Sequence, residues 1–98
     1  MLTYERGEVW LIDLGYAAKI RPCLIMSIPP LDEDRALITV IPHTTSPRGS
    51  RFDVAVSTTF HRSGVSDAQN PITTNQSKLI RKLGGLSDDQ LRSVESAL

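Results

Sequence analysis

One cysteine, Cys23, is all that the 98-residue chain offers, which excludes an internal disulfide and any cysteine-based zinc site. It lies within the apolar run Cys23-Leu24-Ile25-Met26 and is expected to pack as a small hydrophobe. There are no paired histidines, no phosphate-binding glycine loop and no carboxylate cluster outside Asp32 to Asp34. No metal and no cofactor is therefore expected. Aromatic residues make up only 5% of the chain, too few for an aromatic-rich RNA-binding signature. No apolar stretch approaches the roughly 20 residues that span a membrane. The N-terminal segment, with Glu5, Arg6 and Glu8, lacks the basic-then-apolar pattern of a signal peptide. A cytoplasmic protein without a membrane partner is expected.

Charge of one sign is lacking as well: 11 basic and 11 acidic residues cancel. Their distribution is uneven. From Ala36 to Leu86 the basic residues are Arg48, Arg51, Arg62, Lys78, Arg81 and Lys82, against Asp53 and Asp67 as the acids. A central basic region inside a neutral chain suits a local phosphate-binding face, and equally an ordinary solvated face.

The length fits one domain, 1–98, with a single core and a large surface fraction, so a second subunit could supply further burial. Arg6-Gly7-Glu8-Val9-Trp10-Leu11-Ile12-Asp13-Leu14 reads as a tight entrance followed by a strand. Gly15 to Lys19 is a short connection, so the strand after Lys19-Ile20-Arg21-Pro22 should form a hairpin with the first. Pro29 to Arg35 is an exposed loop. Ala36 to Ile41, apolar at nearly every position, reads as a third strand buried on both faces, ended by Pro42 to Ser50. Phe52 to Val56 alternates as a half-buried strand. Thr58 to Asn75 reads as irregular, with room for a short strand near Val65 or Ile72, and Lys78 to Leu83 fits a helix or a strand equally well. Ser87-Asp88-Asp89-Gln90 is a capping box, and Leu91, Val94 and Leu98 should dock the ensuing helix through one stripe. Several short strands and one terminal helix predict a mainly β chain with a C-terminal helix, curled into a small sheet or barrel.

Chemistry-bearing side chains gather where core strands begin or end. Pro22 fixes the backbone beside Arg21 and biases that residue towards an extended conformation, holding its guanidinium fork where it could clamp a phosphate. His43, Thr44, Thr45, Ser46, Arg48 and Arg51 follow the third strand. Arginines and hydroxyls bind phosphate, and histidine moves protons near neutral pH. Cleavage of RNA by its own 2′-hydroxyl needs such a set. A lone loop histidine is more often ordinary surface, and Thr44 and Thr45 also suit a plain turn.

Taken in order, Arg6 to Leu14, Lys19 to Ile25, Val40-Ile41-Pro42-His43-Thr44-Thr45-Ser46 and Lys82-Leu83-Gly84-Gly85-Leu86-Ser87 resemble the MazF/PemK family of toxins from type II toxin–antitoxin modules. The resemblance implies an SH3-like barrel, a homodimer, metal-independent and sequence-selective endoribonuclease activity on single-stranded RNA, and inhibition by a cognate antitoxin protein. It places the family arginine on Arg21. The family threonine falls on Thr44 counted from Pro42, or on Thr45 counted back from Ser46. Beside these, His43 is a further catalytic candidate, and Lys19, Ser46, Arg48, Arg51 and Gln69 are candidate RNA contacts. The chain departs from many relatives in its short Gly15 to Ala18 connection without an acidic residue. The segment Asp67 to Thr74 also keeps Gln69 but has no arginine. Loss of an acid or base would leave a non-catalytic RNA- or peptide-binding barrel. The related gyrase-poisoning toxin CcdB carries a tryptophan at its extreme C-terminus, whereas here the sole tryptophan is Trp10.

Overall fold

The computed structural model describes residues 3–15, 20–27, 37–45, 49, 53–55 and 64–98. Seven strands and one α-helix follow in the order β1 (Glu8–Asp13), β2 (Ile20–Ile25), β3 (Leu37–Thr44), β4 (Asp53–Ala55), β5 (Val65–Asp67), β6 (Ile72–Asn75), β7 (Leu79–Gly85) and α1 (Asp88–Ala97). Every pairing is antiparallel, and the sheet runs β4-β5-β3-β2-β1-β7 with β6 also on β3. The expected β1–β2 pair is present, with Val9 opposite Leu24 and Ile12 opposite Arg21.

Curling of the sheet follows from connectivity. Passing from β6 through β3, β2 and β1 to β7 takes four inter-strand steps, roughly 19 Å on a flat sheet at ~4.8 Å per step. Only a three-residue 3₁₀ turn, Gln76–Lys78, separates β6 from β7, and at about 2 Å per residue it spans less than half that distance. The sheet must bend until its edges approach, giving the SH3-like barrel type, although no ladder closes it among the described residues.

Two cores result. The concave side gathers Tyr4, Trp10, Ile12, Cys23, Ile25, Ile38, Val40 and Leu79. The convex side buries Val9, Leu24, Met26 and Ile41 beneath Val94 of α1. Tyr4 is 2% exposed and its hydroxyl has no hydrogen-bond partner among the described residues. The helix begins as expected: Ser87 Oγ accepts from the Gln90 amide at 3.2 Å, and Gln90 Oε1 accepts from the Ser87 amide at 3.0 Å.

Four expectations need correction or completion. β3 does not stop before Pro42 but runs on through Thr44. It pairs with β6 up to Val40 and with β5 from His43, so Ile41 and Pro42 fall between two partners, where a residue lacking an N–H breaks no ladder bond on that edge. Lys78 to Leu83 resolves as the turn into strand β7. The span read as irregular holds both β5 and β6. Leu98 does not dock with Val94: it is the C-cap, no longer follows the helical rotation, and is 59% exposed. The ends of the expected third and fourth strands at Ala36, Phe52 and Val56, the loop Pro29 to Arg35 and most of the Gly15 to Lys19 connection lie outside the described residues.

Candidate active site

The entrance to β1 is a structural clamp. Gly7 has φ +91°, a conformation that favours glycine, and its amide donates to the Ile25 carbonyl at 2.8 Å while its carbonyl accepts from the Leu86 amide at 2.9 Å. Arg6 donates to the Met26 carbonyl and pairs with Glu95 at 3.2 Å, tying the chain start to the end of β2 and to α1. Glu8 accepts from the Glu5 amide at 2.9 Å and from Trp10 Nε1 at 3.0 Å, and meets Lys82 Nζ at 2.7 Å. Burial pushes the Glu8 carboxyl up. The hydrogen bonds from Lys82, Trp10 and Glu5, together with the Lys82 charge, outweigh that effect and hold it below its ordinary value.

β2 opens differently. Strand alternation puts Arg21 on the concave side with Cys23 and Ile25, opposite Ile12, and half-buried. Below it Cys23 is 0% exposed, with Sγ 3.5 Å from the Arg21 carbonyl. Burial pushes the Cys23 thiol up to about 12 against a small opposing pull from the Arg21 charge, so this sulfur is a packing group and not a nucleophile.

The β2–β3 ladder pairs Ile25 with Val40, Leu24 with Ile41 and Cys23 with Pro42. Extending that register by two residues brings Arg21 opposite Thr44, and both point to the concave side because Cys23, Ile38 and Val40 do. Thr44 is half-buried, whereas Thr45 lies beyond the strand and is exposed. Of the two alignments of the family threonine, Thr44 is the one that shares a face with Arg21.

His43 lies elsewhere. It belongs to the Ile41 side of β3, opposite Ser66 of β5, and is 5% exposed. It adjoins Thr44 in sequence, as expected, but neighbours on a strand face opposite ways, so its side chain lies on the other face from Thr44. Gln69 is exposed in the turn from Asp67 to Asn70, beside the interval between β5 and β6 and away from Thr44. Lys19, Ser46, Arg48 and Arg51 lie outside the described residues. Sequence reasoning missed Gly64 and Ser66, which pack against this strand end; glycine before a short strand was the sole available signal, and it reads as an ordinary breaker. Among the described residues no three of His, Cys, Asp and Glu converge, and no helix is long and apolar enough to cross a membrane.

A small curled antiparallel sheet with one C-terminal helix, carrying an arginine and a threonine across one strand end, defines an SH3-like barrel with a candidate anion site at its rim. Residues 5–98 match the family model for the PemK-like, MazF-like toxin of type II toxin–antitoxin systems. The chain belongs to that family. Among solved structures it is similar to an endoribonuclease from a mycobacterial species in complex with its cognate antitoxin, at 27% identity and TM-score 0.82, covering 98% of this chain and 91% of that one. It is also similar to Mycobacterium tuberculosis toxin MazF-mt6, at 26% identity and TM-score 0.78 over 92% and 90% of the two chains. A MazE–MazF structure from Deinococcus radiodurans shares the fold at 20% identity and TM-score 0.83, covering 100% and 93%.

Proposed function

We propose that this chain is the endoribonuclease toxin of a type II toxin–antitoxin pair, acting on single-stranded RNA without a metal, with Arg21 and Thr44 at its active site. What supports the assignment is the β2–β3 register, which, continued two residues beyond Cys23 and Pro42, sets Arg21 and Thr44 opposite one another on the concave face. In the reaction the ribose 2′-oxygen attacks the neighbouring phosphorus, the bond from phosphorus to the 5′-oxygen breaks, one proton leaves the 2′-hydroxyl and one reaches the departing 5′-oxygen. Charge gathers on the non-bridging oxygens between these events. The Arg21 guanidinium, held by the strand and by Pro22, is suited to stabilise it, and the Thr44 hydroxyl can donate a second hydrogen bond. His43 is buried on the other face and supplies neither. Family membership further supports a cytoplasmic protein, a homodimer, and an antitoxin that inhibits by covering the RNA site.

The test is incubation of purified protein with single-stranded RNA, with and without a chelator. Fragments ending in a 2′,3′-cyclic phosphate and beginning with a 5′-hydroxyl, unaffected by the chelator and lost in Arg21→Ala, are expected. RNA left intact under both conditions would overturn the reading.

A further inference from the structure

Gly64 stands immediately before Val65, the residue that pairs with Thr44 in the last rung of the β3–β5 ladder. A Cβ added at Gly64 would collide with the Thr44 carbonyl oxygen and would lie 3.0 Å from the Thr44 carbonyl carbon and 2.9 Å from His43 Nε2. Two of these atoms are backbone and cannot swing aside. The glycines with positive φ are Gly7, Gly15 and Gly49, so at Gly64 the demand is for space and not for backbone freedom. On the other side of β3, Cys23 is paired with Pro42. The Thr44 peptide is thus confined by the Gly64 backbone on its β5 edge, two residues beyond the last β2–β3 rung, with the buried His43 ring on the face turned away from Arg21.

From this geometry we infer that Gly64 and His43 are positioning residues for Thr44: together they fix the path of the strand end and so the aim of the threonine hydroxyl towards Arg21. The inference rests on the proposed role of Thr44. It assigns His43 to shaping the strand and not to proton transfer, and it makes Gly64 obligatory because any side chain there must displace the Thr44 carbonyl. Displacements of ~1 Å at a reacting group can cost up to about 100-fold in rate.

The experiment compares the full-length parent with Gly64→Ala, His43→Gln and the control Gly85→Ala, where an added Cβ meets nothing closer than 3.8 Å. Single-stranded RNA cleavage is followed as kcat and KM across pH, and the Thr44 and Val65 amides are followed by NMR. In Gly64→Ala, kcat should fall by about tenfold or more with KM within about twofold, and both amides should shift, while Gly85→Ala cleaves as the parent. His43→Gln should keep the shape of the parent pH profile. Parent-like kcat in Gly64→Ala, or a titrating limb missing from the profile of folded His43→Gln, overturns the inference. Should Gly64→Ala not fold, the His43→Gln profile decides. If the parent leaves RNA intact, the catalytic proposal has failed, and the amide shifts alone test the positioning.

Discussion

Two arginines stand at the openings of the first two strands, and the molecule uses them in opposite ways. Arg6 is spent on the fold: its guanidinium reaches the Met26 carbonyl and Glu95, so it joins the N-terminal turn, β2 and α1. Arg21 lies at the rim of the concave core, opposite Ile12 and two residues past the last β2–β3 rung, where Thr44 shares its face. The same side chain in a similar sequence position is structural where a helix supplies a carboxylate beside it, and is a candidate anion clamp at the rim.

The sharpest way to break this contrast is to remove each arginine. Arg21→Ala should lower kcat by about 100-fold or more, the effect of deleting one donor to a charged transition state. Arg6→Ala should do the reverse, costing about 1–2 kcal/mol through the lost charged hydrogen bond while cleavage stays within about twofold. Paired RNA-cleavage and denaturant-unfolding measurements decide; equal losses of activity in both variants would erase the distinction.

Next in size is the threonine pair. Thr44→Val keeps shape and removes the hydroxyl, so kcat should fall by about tenfold or more. Thr45→Val, exposed and outside the strand, should cleave as the parent. The opposite ranking would mean that the register extension from Cys23 and Pro42 misplaces the site.

What could be read from the chain alone divides by range. The start of α1 was legible because a capping box is a local device confined to Ser87 to Gln90. Cys23 was legible because its apolar neighbours dictate burial. The nature of Lys78 to Leu83 was not, since pairing with β1 and not local propensity makes β7 a strand. The site was half legible. Arg21 and the threonines were found by residue type, but their faces depend on whether β3 survives Pro42. Proline argues locally for a break, and only the change of partner from β6 to β5 at that point lets the strand continue. Once it does, parity separates His43 from Thr44, a distinction of one residue that composition and spacing do not carry.

The two openings also differ in the pH at which they weaken. Beneath Arg21, the Cys23 thiol sits at about 12 in the fold against 9.0 for the free group. An unfolded chain therefore ionises first, and this contribution is complete below pH 9 and is lost as pH rises towards 12. Stability should drop by about 1 kcal/mol near pH 10 from this group. Cys23→Ala should show a shallower alkaline slope in denaturant titrations. In the parent, the thiol should resist thiol reagents until the protein unfolds.

The smallest expected effect lies at the Arg6 end and has the opposite sign. Glu8 is held below its ordinary value of 4.5, so its ionised form stabilises the fold above that pH and the contribution is lost as pH falls through the lowered value. Its partner Lys82 is raised above 10.5, chiefly by the hydrogen bond to Glu8, and that half of the pair is lost only as pH rises through the raised value. Between these limits the pair is intact. Glu8→Gln keeps an acceptor for Trp10 and for the Glu5 amide but ends the interaction with the Lys82 charge. Its stability should therefore fall only slightly at neutral pH, as for a pair open to solvent, and should decline less steeply than the parent below pH 4.5. Raising salt should narrow the neutral-pH gap between the two proteins. Parent-like acid unfolding in Glu8→Gln would mean that the clamp at β1 holds through Arg6 and the Gly7 backbone alone.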